Sequence, residues 1–173
     1  MQPDYKKGFI CSSCGSYVRQ YTRSVNASMA LVLLLMWKHN KYDFFHVENW
    51  LKQIGQSGLR ADYHKLRFWG LIEAKIEARE DGSKRNGYYK ITNEGVQFAS
   101  RKTTVQSKAV ILHNKLQYFE GEQISIIQAL GKKFDYNQLM GNFQPKTDAE
   151  KTKLKQLSLL YVLLRVGLWI CLA

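Results

Sequence analysis

The stretch from Leu59 to Phe98 changes its hydrophobic period in a set order, and this order restricts the possible folds more than any other feature of the chain. Up to Gly70 the apolar residues repeat with the period of a helix. From Leu71 apolar and charged residues alternate, as in a strand with one buried face. A polar turn and a second strand follow, and Thr92 or Asn93 can cap a new helix. The order predicts a helix that leads into a β-hairpin.

Two further helices are predicted before this stretch. The segment from Asn26 to His39 contains an unbroken apolar run, Met29 to Trp37, which is long enough for a buried helix and too short to span a membrane. The spacing of one apolar helix face recurs at Val47, Trp50, Leu51 and Ile54. Three helices followed by a hairpin are the element order of a winged helix-turn-helix. We therefore predict an α+β protein with a winged-helix domain over residues 24–104.

The charge of the chain favours a polyanionic partner. It has 26 Lys and Arg residues against 14 Asp and Glu, a formal net charge of +12. The predicted third helix has a basic face that could enter a major groove, formed by Arg60, His64, Lys65 and Arg67. Lys84 and Arg85 lie at the predicted hairpin tip, where they could reach the DNA backbone. Duplex DNA is therefore the predicted partner.

An alternative function is a protein-interaction module that binds a host or phage protein through the winged-helix surface and the apolar C-terminal tail. Acidic residues make the predicted hairpin nearly charge-balanced, which weakens the case for DNA. Phe68 is predicted to point away from the apolar side of its helix, and exposed aromatic residues anchor protein interfaces. The sequence contains no glycine-rich phosphate loop, no supported Ser/His/Asp set and no clustered carboxylates, so we predict that the protein is not an enzyme.

The N-terminal segment, residues 1–23, contains a Cys11-Ser-Ser-Cys14-Gly15 motif that resembles one knuckle of a zinc ribbon. Two thiolates at this spacing can chelate one ion, and the glycine allows a tight turn. A structural zinc needs four ligands, whereas the third cysteine, Cys171, stands at the other end of the chain. Cys11 and Cys14 are therefore predicted to bind zinc as a half-site, with two of the four ligands. Completion by histidines, sharing across a dimer, a redox pair and a decayed knuckle remain alternatives.

Two aromatic residues near the N-terminus lie beside basic ones, Tyr17 with Arg19 and Tyr21 with Arg23. Such pairs could stack on unpaired bases. Packing of the knuckle against the first helix is the favoured interpretation. Three cysteines are too few for a disulfide framework in a chain of this size, and a reducing cytoplasm is the simplest compartment.

A small C-terminal α/β module is predicted over residues 105–142. It consists of a hairpin that turns at Asn114-Lys115, then short helices at Ile124–Leu130 and Asp135–Met140. Residues 143–173 are predicted as a linker and an apolar helix. That helix is interpreted first as a docking or homodimer helix, then as an accidental extension, and last as a membrane anchor. A membrane partner is disfavoured because Arg165 at mid-span would cost about 2.5–3.5 kcal/mol.

Several motifs resemble the wing region of MarR- and PadR-like winged helices. They are Leu66-Arg-Phe-Trp-Gly-Leu-Ile-Glu73, Gly87-Tyr-Tyr-Lys-Ile-Thr92 and Gly95. Together with the cysteine knuckle, Tyr21-x-Arg23 and Phe134-Asp-Tyr-x-x-Leu-Met140, the pattern resembles small, uncharacterised proteins carried by bacteriophages and mobile elements over residues 9–142. The resemblance implies a winged-helix fold and a phage-like origin, but no particular activity. The long flanking dimerisation helices of MarR regulators have no counterpart before residue 150.

Overall fold

The computed structural model describes residues 4–59, 62–75 and 87–141, and these form a mixed α+β fold with small antiparallel sheets. The strands are β1 (Phe9–Ile10), β2 (Tyr17–Val18), β3 (Tyr21–Ser24), β4 (Phe45–His46), β5 (Ile72–Ala74), β6 (Tyr88–Ile91), β7 (Val105–Leu112) and β8 (Lys115–Ile124). The α-helices are α1 (Ala27–Lys38), α2 (Val47–Gln53), α3 (Asn93–Ala99), α4 (Ile126–Leu130) and α5 (Tyr136–Met140). Two 3₁₀ helices lie at Ser57–Leu59 and Tyr63–Trp69.

Helix α1 forms the centre of the core. The Asn26 side chain accepts a hydrogen bond from the Met29 amide and caps the helix, which runs into His39 at its other end, so the predicted helix is confirmed. An α-helix that is apolar on all sides needs neighbours on all sides. Helix α1 contacts α3, α4, β6 and the Tyr63–Trp69 3₁₀ helix. Its buried residues are Met29, Ala30, Leu31, Val32, Leu33, Leu34, Met36 and Trp37.

A three-stranded antiparallel sheet follows α1 and has the order β4-β6-β5. Strand β6 is central: Tyr89 pairs with Phe45 on one side, and Ile91 pairs with Ile72 on the other. The predicted helix at Val47 and the predicted hairpin are confirmed over the described residues, although β5 ends at Ala74. The predicted hairpin tip lies outside the described residues.

The prediction of an α-helix before this hairpin was wrong in its helix type. Tyr63–Trp69 is a 3₁₀ helix that ends at Gly70, whose φ is +69°. Aromatic residues and histidine, which make up much of this segment, are weaker helix formers than Leu, Lys or Arg. In addition, Asp62 precedes the helix but makes no capping bond to it, because its carboxylate accepts a hydrogen bond from Lys65 Nζ instead.

A second antiparallel sheet has the order β3-β7-β8 and joins segments far apart in the sequence. Strand β3, which the sequence analysis did not predict, pairs with β7 from Tyr21–Ile111 to Ser24–Lys108. The predicted β7–β8 hairpin is confirmed, but its turn lies one residue earlier, at His113 and Asn114. Both turn residues have positive φ, 49° and 62°, as a two-residue type I′ turn requires.

Three capped helices complete the described fold. Thr92 caps α3, Ser125 and Gln128 form a capping box on α4, and Asp135 caps α5. Both predicted C-terminal helices are therefore confirmed. The Lys38 ammonium donates to the Leu139 carbonyl at 2.7 Å, which ties α5 to α1. Residues Met1–Gly141 group into one compact unit.

The helices of the described residues are too short or too polar to cross a membrane. Residues 143–173 lie outside the described residues. The prediction of a docking or homodimer helix, an accidental extension or a membrane anchor falls on this segment.

Candidate nucleic-acid interface

Three of the six residues predicted to contact DNA lie in the described part of the chain. His64, Lys65 and Arg67 all belong to the Tyr63–Trp69 3₁₀ helix, and all three are half-buried. The His64 ring lies 6.1 Å from the ring of Tyr63. The other three predicted residues, Arg60, Lys84 and Arg85, lie outside the described residues.

Lys65 is held by its neighbour Asp62. Its ammonium donates a hydrogen bond to the Asp62 carboxylate, and the two side chains are 21% and 38% exposed. This bond lowers the pKa of Asp62, and the positive charges of Lys65, His64 and Arg23 lower it further, against a smaller rise from burial. Much of the charge of Lys65 is therefore balanced within the 3₁₀ helix.

The C-terminal half of the 3₁₀ helix is fixed against the β7–β8 hairpin. Arg67 Nη2 donates to Asn114 Oδ1 in the hairpin turn at 2.6 Å, and Trp69 Nε1 donates to the Gln106 carbonyl of β7 at 2.6 Å. The Arg67 guanidinium also lies 4.9 Å from the ring centre of half-buried Phe68. The basic helix face that was predicted to enter the major groove is consequently partly covered, and its surface continues onto the β3-β7-β8 sheet.

The second sheet carries two rows of side chains on the face that meets the 3₁₀ helix. Paired residues of neighbouring strands project to the same side of a sheet. The rows are Tyr21-Ile111-Leu116 and Arg23-Ala109-Phe119, and we call these six residues the aromatic face. The Phe119 ring lies 6.2 Å from the ring of Trp69, which places this face beside the 3₁₀ helix.

The central residues of the aromatic face are buried and the outer ones are exposed. Ala109 and Ile111 of β7 belong to the core, whereas Tyr21, Leu116 and Phe119 are 45%, 37% and 40% exposed. The expectation that Tyr21 packs the knuckle against α1 was therefore wrong, and Tyr21 lies on the surface. Sequence reasoning also missed Phe119, because its relation to Tyr21 depends on a pairing between distant strands.

Two arginines flank Tyr21. The guanidinium carbons of Arg23 and Arg19 lie 5.3 and 6.0 Å from the centre of the Tyr21 ring. Both arginines are exposed. The side chain of Tyr17, by contrast, folds back so that its hydroxyl donates to the Lys7 carbonyl at 3.0 Å.

The base of the β5–β6 hairpin is tightly packed. A Cβ on Gly87 would lie 2.7 Å from His46 Nε2, and the exposed Tyr88 ring lies 5.3 Å from the His46 ring. His46 Nδ1 accepts from the Asn49 amide and caps α2, so this histidine has a structural role. These contacts fix the position from which the hairpin extends.

Cys11 and Cys14 lie on the β1–β2 hairpin. The Cys11 amide donates to the Ser16 carbonyl, and the Gly15 amide donates to the Cys11 carbonyl, with Gly15 at a φ of +69°. Hydrogen bonds from Ser16 and then from the Cys11 thiol lower the pKa of the Cys14 thiol. Over residues 4–59, 62–75 and 87–141, no group of three or more histidine, cysteine or acidic side chains is placed to hold a metal ion.

Comparison with known proteins identifies no relative from which a family could be assigned. Neither a protein-family model, nor a curated protein, nor a solved structure matches this chain. The candidate site therefore stands on its own geometry.

Proposed function

We propose that residues 24–104 form a winged helix that binds duplex DNA without catalysis. The observation that carries this proposal is the strand order β4-β6-β5. Along the chain, helix α1, strand β4, helix α2, the two 3₁₀ helices and the β5–β6 hairpin follow one another, and β4 pairs with β6, the far strand of the hairpin. This arrangement supports the assignment of the β5–β6 hairpin as the wing and of Tyr63–Trp69 as the reading helix.

The hydrogen bonds of the 3₁₀ helix suit contacts to phosphate. A guanidinium has five N–H donors, so the hydrogen bond from Arg67 to Asn114 fixes the side chain while it uses only one of them. A fixed side chain loses less conformational entropy on binding. We infer that Arg67 positions the protein on the backbone, together with the Lys65 donors that Asp62 does not use. Arg60 reaches base edges, and Lys84 and Arg85 contact phosphates from the wing.

Zinc is a separate part of the proposal. Two adjacent thiols on a tight hairpin, with the pKa of Cys14 lowered, suit chelation of a soft divalent ion. They supply two of the four ligands that a structural zinc needs. The remaining ligands would come from outside the described residues or from a second copy of the chain.

A gel-shift titration at two salt concentrations tests DNA binding. Arg60→Ala/Lys65→Ala should weaken binding to duplex DNA about tenfold or more and should reduce the salt dependence, because phosphate contacts release counterions. Lys132→Ala/Lys133→Ala is the matched control: it removes the same charge from two exposed lysines that follow α4. Equal losses in both variants, or binding indifferent to salt, would contradict the proposed interface.

A protein partner is the second candidate function. It is favoured by the exposed apolar side chains of the second sheet and by the partly covered 3₁₀ helix. Exposed aromatic residues in close proximity are enriched at protein interfaces. A stable protein complex that survives nuclease treatment, together with no salt-dependent DNA binding, would favour this function over the first.

A further inference from the structure

The aromatic face brings rings and positive charge together on one surface. Single exposed apolar residues are normal, but here three occupy adjacent rows of the same sheet face. Strands β3 and β8 flank β7, so Tyr21 and Phe119 lie two interstrand spacings of about 4.8 Å apart across the sheet. They also lie in adjacent rows, about 6.6 Å apart along the strands, so their backbones are about 12 Å apart. At that separation the rings of Tyr21 and Phe119 are two distinct flat surfaces.

The charge beside these rings is positive. Arg19 and Arg23 are both exposed and lie on either side of Tyr21 in the sequence. Two acidic side chains lie nearby, and both accept hydrogen bonds: Asp62 from Lys65, and Glu120, which pairs with Lys108 and so projects to the other side of the sheet, from Thr22 Oγ1 at 3.3 Å. The face therefore complements a ligand that combines flat apolar rings with negative charge, rather than an uncharged apolar segment.

We propose that the aromatic face binds unpaired nucleotides. Bases stack on Tyr21 and Phe119, and Arg19 and Arg23 contact the phosphates between them. Base–aromatic stacking tolerates any sequence, because every base has a flat face. Since this face meets the 3₁₀ helix proposed to contact duplex DNA, the inference rests on the proposed function and refines it: the preferred ligand is a duplex that continues into a single strand.

Fluorescence anisotropy with three labelled probes tests this inference. The probes are a blunt duplex, the same duplex with an oligothymidylate extension, and oligothymidylate alone. We expect the wild-type protein to bind the extended duplex more tightly than the blunt one. Tyr21→Ala/Phe119→Ala should weaken binding to the extended duplex about 30-fold and leave the blunt duplex unchanged.

A matched control comes from the other side of the same strand. Tyr118 is 46% exposed and pairs with Val110, so it projects away from the aromatic face. Tyr118→Ala should bind all three probes as the wild type does. Tyr21→Phe/Phe119→Tyr keeps both rings and should retain the preference for the extended duplex.

The possible outcomes separate the inference from the proposed function. Equal affinity of the wild type for extended and blunt duplexes would overturn the inference and leave duplex binding intact, whereas binding to none of the probes would reject both. A measurement that needs no variant is photocrosslinking of wild-type protein to an extension containing bromouracil. Crosslinks mapped to peptides with Tyr21 or Phe119 support the inference, and crosslinks confined to other peptides contradict it.

Discussion

Gly95 occupies a position at which even one methyl group should destabilise the protein. It is buried in the first turn of α3, against the backbone of Leu71, the residue that precedes β5. A Cβ at this position would lie 2.1 Å from the Leu71 carbonyl oxygen and 2.9 Å from Ile91 Cγ1. Carbon–oxygen contacts rarely fall below about 3.3 Å. Gly95→Ala therefore requires α3 and the backbone at Leu71 to separate by about 1 Å.

The size of the effect follows from the same contacts. The Leu71 carbonyl accepts a hydrogen bond from the Thr92 amide at 3.2 Å, so the separation also weakens this bond. Overpacking typically costs about 1–3 kcal/mol, and a lost hydrogen bond about 0.5–1.5 kcal/mol. The higher helix propensity of alanine returns about 0.5–1 kcal/mol. We expect Gly95→Ala to lower the free energy of unfolding by about 2–3 kcal/mol.

Urea unfolding followed by circular dichroism measures this change. With a slope of about 2 kcal/mol per molar urea, the midpoint should fall by about 1–1.5 M. Gly58→Ala is the matched control, because nothing lies within 4 Å of a Cβ there and its φ is not positive. It should leave the midpoint unchanged or raise it slightly. A Gly95→Ala protein within about 0.5 kcal/mol of the wild type would refute the reasoning.

Three further predictions follow from single side chains. Thr92→Ala removes both the cap on α3 and a 2.6 Å hydrogen bond to the Gly70 carbonyl, and should lower the unfolding free energy by about 1–2 kcal/mol in the same urea assay. Burial raises the pKa of Tyr63 above its usual value of 10. The native state thus favours the neutral phenol, so the free energy of unfolding falls as the pH rises above about 10. Urea midpoints measured across alkaline pH should show this decline, and Tyr63→Phe should make it shallower. Metal analysis of purified protein should find one zinc per chain or per two chains, and the Cys11→Ser/Cys14→Ser variant should contain none. Markedly less zinc in the wild type would reject the hypothesis of a zinc half-site.

Features with a strong local signal could be predicted from the sequence. The apolar run in α1 specifies a helix that must be buried, and the observed caps at Asn26 and Asp135 are the residues at which the predicted helices begin. The period change after Gly70 likewise locates the hairpin. Each of these signals lies within a few residues of the element that it specifies.

Features that depend on distant partners could not be predicted in this way. Strand β3 reads Tyr-Thr-Arg-Ser, which has no apolar alternation, and only its pairing with β7 makes it a strand. The basic face of the reading helix is a similar case. The bond from Arg67 to Asn114 joins residues 47 positions apart, so the partial covering of that face has no local signature.

The pairing of β3 with β7 also dictates when the chain can fold. Tyr21 cannot pair until Ile111 has been synthesised, so most of the described chain has to leave the ribosome before this sheet can form. Closing so long a loop is entropically costly, and topologies dominated by distant contacts fold slowly. Helix α1, the most apolar segment of the core, is made early and docks against α4, which is made late. The nascent chain thus carries an exposed apolar segment until its C-terminal partners emerge, and such exposed apolar surface favours aggregation during folding.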